Sequence, residues 1–500
     1  MDSEPKPGPS AIWGVTAIAA AIALLHCLTN GRYGFHRDEL QFLADARHLD
    51  WGFVAYPPLT PLVERISLAL FGLWMPGLRL ASVLAQCAVI FLTAGIARAL
   101  GGSRLTQIFA AFAAGTALLP LFEGTEFQYT TFDYLWWVLT FYALTRLAAS
   151  GDGRWWLLVG VALGLGCETK YAVAFLVAAV VAAVLLTPAR KWLVSRWFWA
   201  GVAVATIIAL PNLLWLIRHD FISYHFLQSI HARDVRNGRG AGFWLDQLKV
   251  CFNPGAVPLV LAGLIVLFRM PRFRILAFAA TVPILLLALA HGRGYYTAAV
   301  YPMLIAAGAV AWSHWLATRT RWLSRTLVGI ASVLVAACAA LGTAVIVPLA
   351  TSGPLQSFAL SQNGDLREEL GWQTLVDTLS QIRSTLPAAD QQHLAILTGN
   401  YGEAGAVEIL GPASHLPPVL SGTNSFWLRG YPTPPPTRLL VVGLDADEAS
   451  SLFNSCQLAA TVPYPPNLNN EESRYHPDIF LCGTPRLPWP DFWRSFQRFG

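Results

Sequence analysis

Charge is scarce in this 500-residue chain: Lys, Arg, Asp and Glu together make up 13% of it. An ordinary soluble protein carries about 25%, so the shortage excludes a disordered chain and a soluble single domain. No block of Lys and Arg tracks along the sequence and the net charge is only +5, which excludes a nucleic-acid partner. Seven cysteines with no CxxC pair provide neither a disulfide framework nor a cysteine metal site. GxGxxG and the Walker lysine motif are both missing, so no nucleotide is implied. What the chain has in quantity is apolar residues, 55% of the total, with 19 Trp and 14 Tyr. That composition suits long membrane–water interfaces.

Apolar stretches long enough to cross a bilayer recur up to residue 349. Eleven are read: 11–29, 80–97, 105–121, 132–149, 155–169, 171–187, 197–217, 255–268, 275–291, 298–317 and 326–349. The fifth and eighth are short and also fit re-entrant segments. The first has one basic residue before it, Lys6, and no small-x-small site after it, so it reads as a retained span. Basic residues then orient the chain. Alternate connections hold Arg98/Arg104, Arg146/Arg154, Arg190/Lys191/Arg196, Arg269/Arg272/Arg274 and Arg319/Arg321/Arg325. With Lys6 these are 14 of the 26 bases before residue 351, and the same faces hold only Asp2, Glu4 and Asp152 of 15 acids. The expectation is a cytoplasmic N-terminus, a C-terminal region outside, and 12 acids at the external helix ends. A charge beside hydrocarbon is costly and is kept mainly where it works or pairs.

The first external loop, 30–79, is too long for a plain connector. Residues 38–49 read as a short helix lying on the membrane surface, with Leu40, Leu43, Ala46 and Leu49 on one face. Asp38 and Glu39 open it, and plain N-terminal capping suits them as well as chemistry does. Asp133 begins the fourth stretch and equally suits a cap. Lys170 follows Glu168 by two residues, which allows a local ion pair. The His- and Arg-rich stretch 218–254 reads by default as a solvated loop. In HGRGYYTAAVYP, Arg293, Tyr295 and Tyr296 suit an anionic headgroup, although an aromatic belt accounts for the tyrosines too.

Beyond residue 350 the composition changes. Residues 1–350 carry +11 and residues 351–500 carry −6, with no Lys in the latter. The two parts read as a membrane domain, 1–350, and a small soluble α/β domain, 351–500. HLAILTG (393–399), RLLVVGL (438–444) and DIFLCG (478–483) read as buried strands, with helices at 401–410 and 445–454. Cys456 and Cys482 are the only cysteines here and form a disulfide candidate if this part faces an oxidising compartment.

Taken together, HRDEL-x2-LA-x2-RHLDWG-x4-PPL, FD-x-LWW at 132–137, TKY at 169–171 and GRGYYTAAVYP at 292–302 resemble bacterial glycosyltransferases of the GT-C superfamily. More narrowly, the chain resembles the dolichyl-phosphate-mannose–protein mannosyltransferase-like group, which includes the lipid A aminoarabinose transferases and the Rgt-type galacturonosyltransferases. NYGEAGAVEILG (400–411) and LPPVLSGTNSFW (416–427) resemble the soluble domain of one bacterial branch. The resemblance implies a polytopic helical inner-membrane protein of about 11 spans, with a periplasmic α/β domain. It implies a polyprenyl-phosphate-linked sugar as donor, and a lipid, glycan or protein as acceptor. Asp38 matches the first-loop acid and becomes the general base, Glu39 is the second catalytic acid of the Asp-Glu pair and orients Asp38 or the acceptor, and Asp133 is a third catalytic acid, positioning sugar or acceptor. Lys170, Arg293 and Arg37, with Tyr295 and Tyr296, are the implied partners of the donor phosphate. No cofactor is required. No DxD sequence occurs in the first loop, and a Mg²⁺ or Mn²⁺ between Asp38 and Asp133 needs the two to converge.

Two readings compete with the enzyme. A transporter or flippase of lipid-linked sugars would place its polar groups near the midplane, within repeated halves; no two-fold repeat is visible, and the acids sit at the outer edge. A non-catalytic membrane sensor would leave Asp38 and Glu39 without a task.

Overall fold

In the computed structural model, residues 8–466 and 468–500 are described. Lys6, Asp2 and Glu4, used above for orientation, lie outside them. Every one of the eleven apolar stretches is helical. By length and composition, six helices among the described residues suffice to cross a membrane: Ile12–Thr29, Met75–Ala99, Arg196–Arg218, Pro271–Leu289, Gly294–Ala317 and Arg321–Ile346. Three further pairs reach that length only if bent segments are joined, which raises the number to nine. The eighth stretch belongs to one of them, Phe243–Lys249 with Pro254–Arg269, bent by 91°. The fifth stretch, Trp155–Cys167, has 13 residues, against about 20 for a straight crossing. The protein is thus a multi-helical membrane protein, with six to nine spans by helix length and composition among the described residues.

Small residues let these helices approach closely. A Cβ on Gly160 would stand 2.1 Å from the Gly201 carbonyl oxygen, and one on Gly308 would stand 1.8 Å from that of Leu259. Without a hydrophobic drive between helices in lipid, such close packing holds a bundle together.

The first long loop holds two main helices. Arg37–Arg47 is where a surface helix was expected, but it does not lie with an apolar face on lipid. Leu40, Leu43 and Ala46 are all 0% exposed, while Leu49 lies beyond the helix and is 44% exposed. The apolar face is buried inside protein, because Leu40 and Leu43 join the core beneath the C-terminal sheet. The second helix, Leu59–Phe71, presents Leu62, Ile66 and Leu70 outward at helical spacing and turns Thr60, Glu64 and Ser67 inward. That outward stripe suits a membrane surface.

The C-terminal part is built on five strands: β1 (Leu394–Thr398), β2 (Val419–Ser421), β3 (Arg438–Val442), β4 (Gln457–Thr461) and β5 (Asp478–Cys482). Their order is β2-β1-β3-β5-β4. β1 runs parallel to β2 and β3, and β5 antiparallel to β3 and β4. The three strands read from the sequence are β1, β3 and β5; the short β2 and the exposed edge strand β4 were not read. All five residues of β1 are buried because helices cover both faces, which is why it reads as an unbroken apolar run. Ala395 and Leu397 face Phe453, Phe492 and Phe496. Leu394 and Ile396 face Leu375, Leu379 and Val407, together with Leu40 and Leu43 of the first loop. The sheet's core is therefore completed by a helix from the membrane part. Cys456 and Cys482 are joined by a disulfide bond.

Candidate active site

A cavity of about 820 Å³ lies between the helical part and the C-terminal part. Residues from all five connections expected on the external side line it: Asp38 from the first, Tyr129 from the second, Lys170 from the third, Asp234 from the fourth and Arg293 from the fifth. Tyr401 and Asn400 of the C-terminal part line it as well. None of the basic connections assigned to the opposite side does.

The loop helix Arg37–Arg47 separates Asp38 from Glu39. His36 caps it: its Nδ1 accepts from the Asp38 N–H (3.2 Å), and its own N–H donates to Glu39 Oε2 (2.8 Å). The capping box thus belongs to His36 and Glu39. Glu39 is 1% exposed and does not line the cavity. Its carboxylate accepts from Arg79 Nε (2.8 Å) and Nη2 (2.6 Å) and from the Phe127 N–H (2.7 Å). Arg79 is fully buried and also donates to the carbonyls of Asn30 and Gly34. Glu39 therefore ties the loop helix to the bundle, whereas the sequence reading set it beside Asp38 as catalytic.

Asp38 points the other way. Oδ1 accepts from the Tyr401 hydroxyl (2.8 Å) and Oδ2 from Gln128 Nε2 (3.2 Å). Burial works against its charge, but His36, the Tyr401 hydroxyl, Arg37 and the Gln128 amide outweigh burial and hold the carboxyl below its ordinary value. At neutral pH this group is a carboxylate.

Lys170 stands at the break between the helices Trp155–Cys167 and Val173–Leu186. The ion pair with Glu168 weighed from the sequence does not form, and among the described residues no carboxylate lies within ion-pair distance of its ammonium. Three rings hold it instead, with Nζ 4.7 Å from the centre of Tyr129, 5.4 Å from Tyr295 and 4.1 Å from Tyr296. Ring faces stabilise the cation and leave its hydrogen-bond donors free. Tyr296 lines the cavity and Tyr295 sits behind it.

Arg293 and Arg37 line the cavity with their charges partnered. Arg293 forms two bonds with Asp234, Nε to Oδ2 at 2.6 Å and Nη2 to Oδ1 at 3.0 Å. Arg37 pairs with Glu471 and stacks 4.8 Å over the Tyr401 ring. The Asp234 contact also corrects the reading of 218–254 as a solvated loop. That stretch forms the helices Ile222–Arg236 and Phe243–Lys249, and the first of them walls the cavity.

Asp133 is not a cap. It lies within the helix Tyr129–Ser150 and accepts from Trp137 Nε1, one turn on, at 3.1 Å. Lys170 interacts with it electrostatically, yet it does not line the cavity. Asp38 lines the cavity and Asp133 does not. Among the described residues no group of three or more His, Cys, Asp or Glu is placed to hold a metal ion.

Tyr401, Gln128 and Asp234 went unread from the sequence as members of one site. Tyr401 sits in the quoted NYGEAG motif, but nothing in one sequence says that this helix packs on residue 38.

Residues 55–215 match the family described as dolichyl-phosphate-mannose-protein mannosyltransferase. Over 229 residues the chain is 31% identical to the lipid A galacturonosyltransferase RgtD of Rhizobium johnstonii. That alignment takes in 43% of this chain and 46% of RgtD, so the chain spans less than half of this relative. The structure of ArnT from Cupriavidus metallidurans in the apo state superposes with a TM-score of 0.58 at 15% identity, covering 95% of this chain and 98% of that one. ArnT bound to undecaprenyl phosphate gives 0.56 at 16% identity with the same coverage. The chain is thus similar over residues 55–215 to the mannosyltransferase family and has, over nearly its whole length, the fold of ArnT.

Proposed function

We propose that the protein is a membrane glycosyltransferase that moves a sugar from a polyprenyl-phosphate donor to an acceptor on the periplasmic face of the inner membrane. The observation that carries this reading is one cavity shared by an ionised carboxylate, Asp38, and an ammonium, Lys170, that has no carboxylate within ion-pair distance among the described residues. The name of RgtD and the undecaprenyl phosphate on ArnT support a polyprenyl-phosphate donor and a lipid acceptor; a glycan or protein hydroxyl answers to the same chemistry.

Asp38 acts as general base. It takes the proton from the acceptor hydroxyl or phosphate as that oxygen forms its bond to the anomeric carbon. The bond from that carbon to the phosphate oxygen breaks, its electron pair leaves with the polyprenyl phosphate, and Asp38 ends protonated. A placed base of this kind contributes about 10²- to 10⁴-fold. Lys170 faces the phosphate as its charge grows, with Tyr296 beside it and Arg293 held in place by Asp234. Glu39 positions the helix that bears Asp38, and Asp133 supports Lys170 from behind. The external assignment rests on the convergence of alternate connections on one cavity and on the bases gathered at the other ends of the helices.

Transfer from a panel of radiolabelled polyprenyl-phosphate sugars, with wild type and Asp38→Asn, tests the reading. Label should move with wild type and fall by two orders of magnitude or more in a folded Asp38→Asn protein. Near-normal transfer by the variant removes Asp38 as base. Lipid movement across vesicles with no transfer from any donor replaces the enzyme with a transporter.

A further inference from the structure

Asp38 lies in the first loop, but one of its two hydrogen-bond donors comes from residue 401. We propose that Tyr401 is a positioning residue for Asp38, so that the active site is complete only while the C-terminal α/β part is docked on the loop helix. This rests on the reading of Asp38 as the base.

The geometry leaves Tyr401 little freedom. It opens the helix Tyr401–Leu410, which is capped by Asn400: the Asn400 side chain accepts from the Glu403 N–H at 2.9 Å. One turn on, Gly405 presses against the loop helix so closely that a Cβ would stand 2.7 Å from the backbone carbonyl of Leu40. Ala404 meets Ala44 in the same seam. The Gly and Ala spacing of NYGEAGA thus lets two backbones approach, and that approach brings the phenol to Asp38 Oδ1 at 2.8 Å. The ring is held from its other side by the Arg37 guanidinium at 4.8 Å. Burial pushes the Tyr401 hydroxyl above its ordinary value, so it stays protonated and donates.

Two donors from separate elements, Tyr401 on Oδ1 and Gln128 on Oδ2, fix the plane of the carboxylate. Each oxygen has two lone pairs, so a direction remains open for the acceptor's proton. The donors also set when the group is charged, because hydrogen bonds to a carboxylate favour its ionised form. The other titratable groups that act on Asp38 are His36 and Arg37 on its own helix, and Tyr56 and Tyr129 from the elements packed against it. Glu126 stands 3.6 Å from His36 and accepts from Gln128.

Tyr401→Phe removes one hydroxyl and keeps the ring beneath Arg37. Losing a donor to a carboxylate raises its pKa, and a base works only when deprotonated. The acid limb of kcat/KM against pH should therefore move up by about one unit. At a pH below the limb, transfer falls about tenfold; on the alkaline plateau it stays within a few-fold of wild type. A ring-fluorinated tyrosine at 401, a stronger donor, should move the limb down and serves as a variant with no packing change. A limb unmoved in both variants, or a Tyr401→Phe loss equal at every pH, overturns the positioning role while Asp38→Asn still abolishes transfer. Near-normal transfer by Asp38→Asn defeats the underlying reading of the base instead.

Discussion

Glu39→Gln and Asp38→Asn, made side by side, separate two roles that adjacent residues conceal. Glu39 neutralises an arginine that is 0% exposed and accepts four bonds, from Arg79 twice and from the N–H groups of His36 and Phe127. Breaking a buried pair by removing one charge costs about 3–5 kcal/mol. Arg79 keeps Glu369 at 3.5 Å, and the amide retains an acceptor oxygen, so the lower end, about 3 kcal/mol, is expected. Asp38 is only partly buried and bonded to two neutral donors, so its amide should cost about 1 kcal/mol or less. Denaturant unfolding in detergent micelles measures both. Activity should reverse the order: per folded molecule, Glu39→Gln should lose less than tenfold, while Asp38→Asn loses about 10²-fold or more. The reasoning is refuted if Glu39→Gln is as stable as wild type yet as inactive as Asp38→Asn. Glu39 would then belong to the chemistry.

Two further outcomes follow from the same site. Lys170→Met should weaken undecaprenyl phosphate binding, and raise KM for the donor, about 10- to 100-fold, because a charge-assisted contact to phosphate is lost; unchanged binding by competition assay would remove Lys170 from the phosphate site. Glu403 is 0% exposed, and burial first, with Glu472 adding, pushes it up to about 8. Its folded value therefore lies above its unfolded one, so the unfolded state loses its proton first and stability falls as pH rises from about 4.5 to about 8. Glu403→Gln should be near neutral at pH 5 and stabilising by about 3 kcal/mol at pH 8, measured by unfolding at the two pH values; equal effects at both would rule out a protonated Glu403.

Legibility differed by element for physical reasons. β1, β3 and β5 are buried and apolar along their length, so their sequence marks them. β4 reads QLAAT and lies at an edge where Leu458 is 58% exposed, so periodicity has nothing to register. The loop helix was legible as a helix, but its environment was not: eight of its eleven residues are buried, and a face meant for protein looks the same as one meant for lipid. Asp133 looked like a cap because it starts an apolar run, yet its helix begins four residues earlier, at Tyr129.

By itself the sequence determined the membrane class, the gathering of bases in alternate connections and the acids and bases to examine. Those are local properties: hydrophobic length, charge counts and motifs survive without coordinates. The tertiary structure decided which candidates meet. It turned Asp38 into the cavity and Glu39 into a buried pair, because successive side chains on a helix point about 100° apart. It set Lys170 among three tyrosines from two distant segments and brought Tyr401 to Asp38 across 363 positions. Contacts of that range depend on how helices pack, and no single stretch of sequence records them.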